Sequence, residues 1–186
     1  MMPELVPFVY ARFTWEGHGG NVPQPPIAGS PMREIRYGPT DDHPLGRRGL
    51  VMLRTWEGLS NGNTLGMIVQ DGDVLIDPHD YLMMLTCIHM EPAAVITAPA
   101  KLWRKPDEEG WVWAHWKEKA SQEIEPDPDF FCFNFTYLPR ALLKAAAVAN
   151  MRSWTFPSVD TQMARVARRE KIPIRVADCQ PKHMNF

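Results

Sequence analysis

Apolar and polar positions alternate between two periods along this chain. Pro7 to Phe13 (PFVYARF) is mostly apolar and predicts a first strand, and Met32 to Tyr37 a short second one. Between them Thr14 to Pro31 is rich in Gly and Pro, longer than most connections in compact domains and of a length associated with function or disorder. After Asp41-Asp42, Leu45, Gly49, Met52, Trp56 and Leu59 recur at spacings of four and three, which predicts a helix closed by Asn61-Gly62-Asn63, with Gly62 as a left-handed cap. Leu65 to Val69 is the short apolar run of a buried parallel strand, with Gln70-Asp71-Gly72-Asp73 at its carboxyl end. Asp77-Pro78 opens a helix whose inner stripe is Tyr81, Met84, Leu85 and Ile88, and Ala93 to Thr97 reads as the next strand.

In the second half, Lys101 to Gly110 is polar and predicts a surface turn, and Trp111, Trp113 and His115 alternate as in a half-buried strand. Phe130 to Tyr137 (FFCFNFTY) predicts a core strand after the acidic, Pro-broken loop Glu123 to Asp129. Pro139 suits the first turn of a helix running to about Asn150. Pro157-Ser158 precedes another helix with Val159, Met163, Val166 and Ala167 inward, and Ile172, Ile174 and Val176 form a last strand before the tail. Strands and helices that alternate in this way predict one α/β layer structure.

Composition narrows the reading. The 186 residues suit one domain, and 45% hydrophobic with 23% charged residues describes a globular chain with a real core. A formal charge of -2 gives no general attraction to nucleic acid or anionic lipid. No apolar run reaches a bilayer-spanning length, and the first residues lack a signal-peptide pattern, so a cytoplasmic location without membrane contact is expected. Three cysteines are too few for a disulfide framework; Cys87 and Cys132 are expected to be buried thiols. Cys179 and His183 lack the paired cysteines of a structural zinc site.

The candidate chemistry centres on Asp71 and Asp73. A turn after a buried strand aims its side chains into the crevice beyond the strand ends, where open α/β sheets bind ligands. Two carboxylates one residue apart can both approach a hard cation, and Gly72 leaves them room. Asp-Gly-Asp is also ordinary turn chemistry, and the residues alone leave both readings open.

The segment GMIVQDGDVLIDPHDYLMML resembles the signature of GT-A-type glycosyltransferases, in which an apolar strand ends in Asp-x-Asp and a helix follows. The resemblance continues through PAAVITAPAKLW, FNFTYLPRALLKAA and WTFPSVDTQMARVARREKIPIRV to a late His, roughly Leu65 to His183. It implies a single GT-A-like, Rossmann-like α/β/α sandwich with a mixed, mostly parallel sheet. Residues 1–64 would be its nucleotide-binding half and 65–186 its metal and acceptor half. It also implies a metal-dependent transfer of sugar from a UDP- or GDP-sugar to a hydroxyl acceptor on a protein, a glycan or a modified DNA base. Mn²⁺ or Mg²⁺ would sit on Asp71 and Asp73, with His183 as a further ligand; otherwise His183 is a solvated tail residue.

By the same resemblance, Asp160 is the general base of an inverting reaction, although Val159 stands where the family's acidic pair has Glu. A carboxylate merely stabilised by a helix N-terminus is the competing reading. Lys182 can meet a phosphate as a point charge. Arg47 or Arg48 can contact the diphosphate, and Asp41 or Asp42 a nucleobase or ribose edge, if these are not solvated loop groups. Arg165, Arg168 and Arg169 read as a solvated helix face. Among the tryptophans, core packing is the default and Trp154 the preferred sugar platform. Two other classes stand beside glycosyl transfer. One is nucleotidyl transfer, which normally needs a basic phosphate loop after the first strand, whereas the loop here has no Lys or Arg before Arg33. The other is a degenerate binding or assembly module on the same fold.

Overall fold

In the computed structural model the described residues are 7–16, 21–38, 48–98, 101–103, 111–113, 117–118, 124–125, 131, 133–149, 159–179 and 181–183. The elements follow in the order β1 (Phe8–Trp15), β2 (Arg33–Tyr37), α1 (Arg48–Leu59), β3 (Gly66–Asp71), β4 (Val74–Leu75) and α2 (Pro78–Met90). Next come β5 (Val95–Thr97), β6 (Lys101–Trp103), β7 (Trp111–Trp113), β8 (Lys117–Glu118), β9 (Ile124–Glu125) and β10 (Phe135–Pro139). The chain continues through α3 (Arg140–Val148), α4 (Val159–Arg169), β11 (Ile174–Val176) and β12 (Lys182–His183).

Among the described residues the main sheet has six strands in the order β11-β5-β10-β3-β1-β2. The pairs β1/β2, β1/β3 and β5/β11 are parallel, whereas β10 runs antiparallel to both β3 and β5. The sheet is therefore mixed and mostly parallel, as expected. Both of its faces are covered, which is why β1 and β3 read as nearly continuous apolar runs rather than alternating ones. Val9, Ala11, Phe13, Met67 and Val69 face α1, α3 and α4, meeting Met52, Leu142 and Met163. Tyr10 and Ile68 face the other way, onto Tyr81, Met84 and Ile88 of α2. The result is an α/β/α sandwich.

Local chemistry explains the element ends. Asp77 caps α2 by accepting from the Asp80 N–H (2.9 Å), Asp80 accepts from the Asp77 N–H (3.1 Å), and Pro78 fills the first helical position. Gly66 lets β10 approach β3: a Cβ there would lie 2.5 Å from the Leu138 carbonyl oxygen and from the Tyr137 ring. Thr97 and Thr136 hydroxyls hydrogen-bond across β5 and β10 at 2.8 Å in the buried sheet.

Several expectations are corrected. Gly62 is not in the left-handed region; the turn after α1 is closed by Asn61 Oδ1 accepting from the Asn63 N–H (2.9 Å) and by Thr64 Oγ1 accepting from the Asn61 N–H (2.8 Å). β3 runs two residues beyond Val69, through Gln70 and Asp71, because β1 pairs with both and β10 with Gln70, and the Asp71 N–H finds the carbonyl of Asn134 just before β10. Lys101 to Trp103 is not surface turn but strand β6, paired with β7 and with the tail strand β12. Strand β10 starts only at Phe135; Phe131 and Phe133 are buried in the core before it. Pro139 is the N-cap of α3 rather than part of its first turn. Cys87 is only half-buried and Cys179 is the buried thiol, pushed up by that burial, while Cys132 lies outside the described residues. No described helix is long and apolar enough to cross a membrane.

Candidate functional site

From β1 the chain moves to β2 on one side and later to β3 on the other, so the topological switch point lies between β1 and β3. The crevice beyond the carboxyl ends of parallel strands at such a point is the usual ligand site of an open α/β sheet. Here those ends are Trp15, Tyr37 and Asp71. Asp71 pairs in register with Phe13, and its N–H donates to the Asn134 carbonyl at 3.2 Å. The chain then turns through Gly72 and Asp73 into β4, leaving both aspartates half-buried. Gly72 is buried against β1: a Cβ on it would sit 2.4 Å from Asn21 Oδ1, 2.9 Å from the Phe13 carbonyl oxygen and 3.0 Å from Thr14 Cα.

The turn is held from behind by buried polar side chains. The guanidinium of Arg12, on β1 and 1% exposed, donates through Nη2 to the carbonyls of Gly72 and Val22. Its Nη1 meets Glu34 Oε2 of β2 at 3.5 Å. The Val22 N–H donates to the same Gly72 carbonyl at 2.9 Å. Burial draws the Arg12 pKa down, and Glu34, Tyr10 and Asp73 act in the opposite sense. Beside it, Tyr10 donates to Gln70 Oε1 (2.6 Å), and Gln70 Nε2 donates to the Val74 carbonyl (2.7 Å) and to Gln24 Oε1 (3.0 Å). Gln24 grips Ile76 at both ends, accepting from its N–H (3.0 Å) and donating to its carbonyl (2.8 Å). Burial, and secondarily Tyr81, push the Tyr10 phenol far above its ordinary range, so it remains a neutral donor. These buried hydrogen bonds fix the backbone path on either side of Asp71-Gly72-Asp73.

The other candidates divide into those the fold brings to this edge and those outside the described residues. Strand β12 inserts between β4 and β6, with Lys182 opposite Leu75 and His183 opposite Val74. The backbone of His183 is thereby set beside the residue that follows Asp73; its side chain lies outside the described residues. Lys182 is exposed. Asp160 is half-buried in the first turn of α4. That helix leads through residues 170–173 directly into β11, whose partner β5 donates its Val95 N–H to the Pro173 carbonyl at 2.9 Å. β11 thus enters the sheet at its amino edge, directly after α4. Arg48 is the first residue of α1, with its side chain outside the described residues. Asp41, Asp42, Arg47 and Trp154 lie outside them altogether.

Two hard oxygen ligands on a short, glycine-centred turn fit a divalent cation that keeps open positions for phosphate and water. Among the described residues no three His, Cys, Asp or Glu form one ligand cluster. Three residues that hold this turn, Arg12, Gln24 and Gln70, are not evident from sequence pattern. The one signal was an arginine in the middle of an otherwise apolar strand, PFVYARF.

No protein-family model matches the chain, and no curated protein matches it. Among solved structures it resembles the 4-diphosphocytidyl-2C-methyl-D-erythritol synthase of Anaerococcus prevotii, with a TM-score of 0.48 and 9% identity over 97% of this chain and 89% of that one. A likeness so distant carries no weight for the chemistry.

Proposed function

We propose that this chain is a metal-dependent glycosyltransferase that moves a sugar from a UDP- or GDP-sugar to a hydroxyl acceptor. The observation that carries the reading is the rigidly held Asp71-Gly72-Asp73 turn at the carboxyl end of β3, at the switch point of the sheet. Its two carboxylates are the proposed ligands of Mn²⁺ or Mg²⁺, and a cation there would neutralise charge developing on the departing diphosphate. His183 is a proposed further ligand, on a strand paired beside Asp73. Lys182, Arg47 and Arg48 are proposed to meet the diphosphate, Asp41 or Asp42 the nucleoside, and Trp154 the face of a sugar.

Asp160 is the proposed general base, accepting the proton of the acceptor hydroxyl as that oxygen attacks the anomeric carbon on the face opposite the leaving group. It lies half-buried in the first turn of α4. The acceptor is a hydroxyl of a protein, a glycan or a modified DNA base.

A panel of UDP- and GDP-sugars, incubated with Mn²⁺ and candidate acceptors, tests this reading. Release of nucleoside diphosphate is expected, and Asp160→Asn should suppress transfer by about 10²-fold or more while leaving donor binding intact. Full transfer by Asp160→Asn would remove the base assignment. Release of pyrophosphate from a nucleoside triphosphate instead would move the chain to nucleotidyl transfer.

A further inference from the structure

Arg12 is buried at a cost that packing does not explain. Its side chain is 1% exposed, its Nε has no hydrogen-bond partner among the described residues, and its carboxylate partner Glu34 is distant at 3.5 Å and partly solvated. A buried ion pair replaced as a whole by apolar side chains of similar volume often loses little stability. Yet the same guanidinium bridges four separate pieces of chain: β1 itself, β2 through Glu34, the segment after residue 20 through the Val22 carbonyl, and the Asp71–Asp73 turn through the Gly72 carbonyl. The Gly72 carbonyl belongs to the planar peptide unit that ends at Asp73 Cα, so fixing that oxygen fixes where Asp73 begins. The Asn134 carbonyl fixes the other end through the Asp71 N–H.

We infer that Arg12 is a positioning residue that sets the Asp71 and Asp73 carboxylates at the spacing a divalent cation needs. The inference rests on the metal reading above and names the residue that makes the turn competent. It also has a sign that a purely electrostatic role lacks. A cation beside Asp73 repels a second cation, so deleting the Arg12 charge should tighten metal binding if charge were all that mattered. Positioning requires the opposite.

The test is Mn²⁺ binding in the presence of UDP, and again of GDP, for the wild-type chain, Arg12→Met and Arg12→Lys, with thermal unfolding in parallel. Arg12→Met is expected to unfold within several degrees of the wild type yet bind Mn²⁺ at least tenfold more weakly. The electron paramagnetic resonance spectrum of its bound Mn²⁺ should also be altered at saturation, a change that mere loss of stability does not produce. Arg12→Lys, which keeps the charge but not the planar fork, should recover only part of the affinity. Binding by folded Arg12→Met as tight as wild type, or tighter, overturns the inference; should that variant fail to fold, the same result in Arg12→Lys does so. If the wild type binds no Mn²⁺ with either nucleotide, the metal reading itself falls and takes this inference with it.

Discussion

A methyl group on Gly72 would press on Asn21 Oδ1 at 2.4 Å and on the backbone of β1 at 2.9 and 3.0 Å. The Asn21 amide can swing away, but a central strand held by β2 and β3 on both sides cannot. Gly72→Ala is therefore expected to destabilise the fold by about 1–3 kcal/mol, the usual cost of overpacking a tight site. For a chain of this size that is a fall in Tm of about 3–10 °C, measurable by calorimetry. An unchanged Tm would mean that the turn is not pressed against β1. At this scale the sequence was informative where residue type alone carries meaning: Asp71, Gly72 and Asp73 announce a turn at the end of a strand, and the structure has one there. Arg12 did not announce itself. Its two carbonyl partners lie 10 and 60 residues away, and a lone arginine in an apolar strand has no local pattern that names them.

Elements were legible where one periodicity dominated a long stretch. Helix α2 has its cap, its Pro and its inner stripe where the pattern put them, and α4 buries Val159, Met163, Val166 and Ala167 while Arg165, Arg168 and Arg169 remain outside. Short strands were not legible. Three residues such as Lys101 to Trp103 become a strand because β7 and β12 pair with them, and pairing between distant segments leaves no local trace. The end of α4 shows a different kind of misfit between residue and structure. Lys171 sits at φ 55°, with its N–H donating to Arg168 (3.1 Å) and the Ile172 N–H to Ala167 (2.9 Å), which is a Schellman closure normally completed by glycine. Lys171→Gly should relieve the left-handed strain, offset partly by greater freedom of the unfolded chain, for a net gain of up to about 1 kcal/mol. A rise in Tm of about 1–4 °C is expected. A fall would show that the lysine side chain contributes more than its backbone strain removes.

At the scale of the molecule, the alternation of elements led correctly to an α/β sandwich with a mostly parallel sheet. The antiparallel insertion of β10 between β3 and β5, and the return of the tail as β12 beside β4, depend on pairings across 39 to 109 residues and were beyond local pattern. Both matter for the site. The carbonyl of Asn134, just before β10, receives the Asp71 N–H, and β12 brings the backbone of His183 alongside Val74, the residue after Asp73. The nucleotide side is less built: among the described residues the crossover from β1 to β2 carries no helix, although parallel strands are usually joined by one. Instead, Val22 and Gln24 run across the turn and hold it. Several buried polar groups thus converge on the Asp71-Gly72-Asp73 turn, where metal-dependent nucleotide binding is the proposed central property.

Isothermal titration of the chain with UDP, GDP and their sugars, in Mn²⁺ and then in EDTA, tests that property most directly, with Asp71→Asn and Asp73→Asn as companions. The account predicts binding of one nucleotide series in Mn²⁺, its loss in EDTA, and at least about tenfold weaker binding, or roughly 1.4 kcal/mol, in each folded variant. Binding that is indifferent to EDTA and to both substitutions, or no binding of any of these nucleotides, would contradict it.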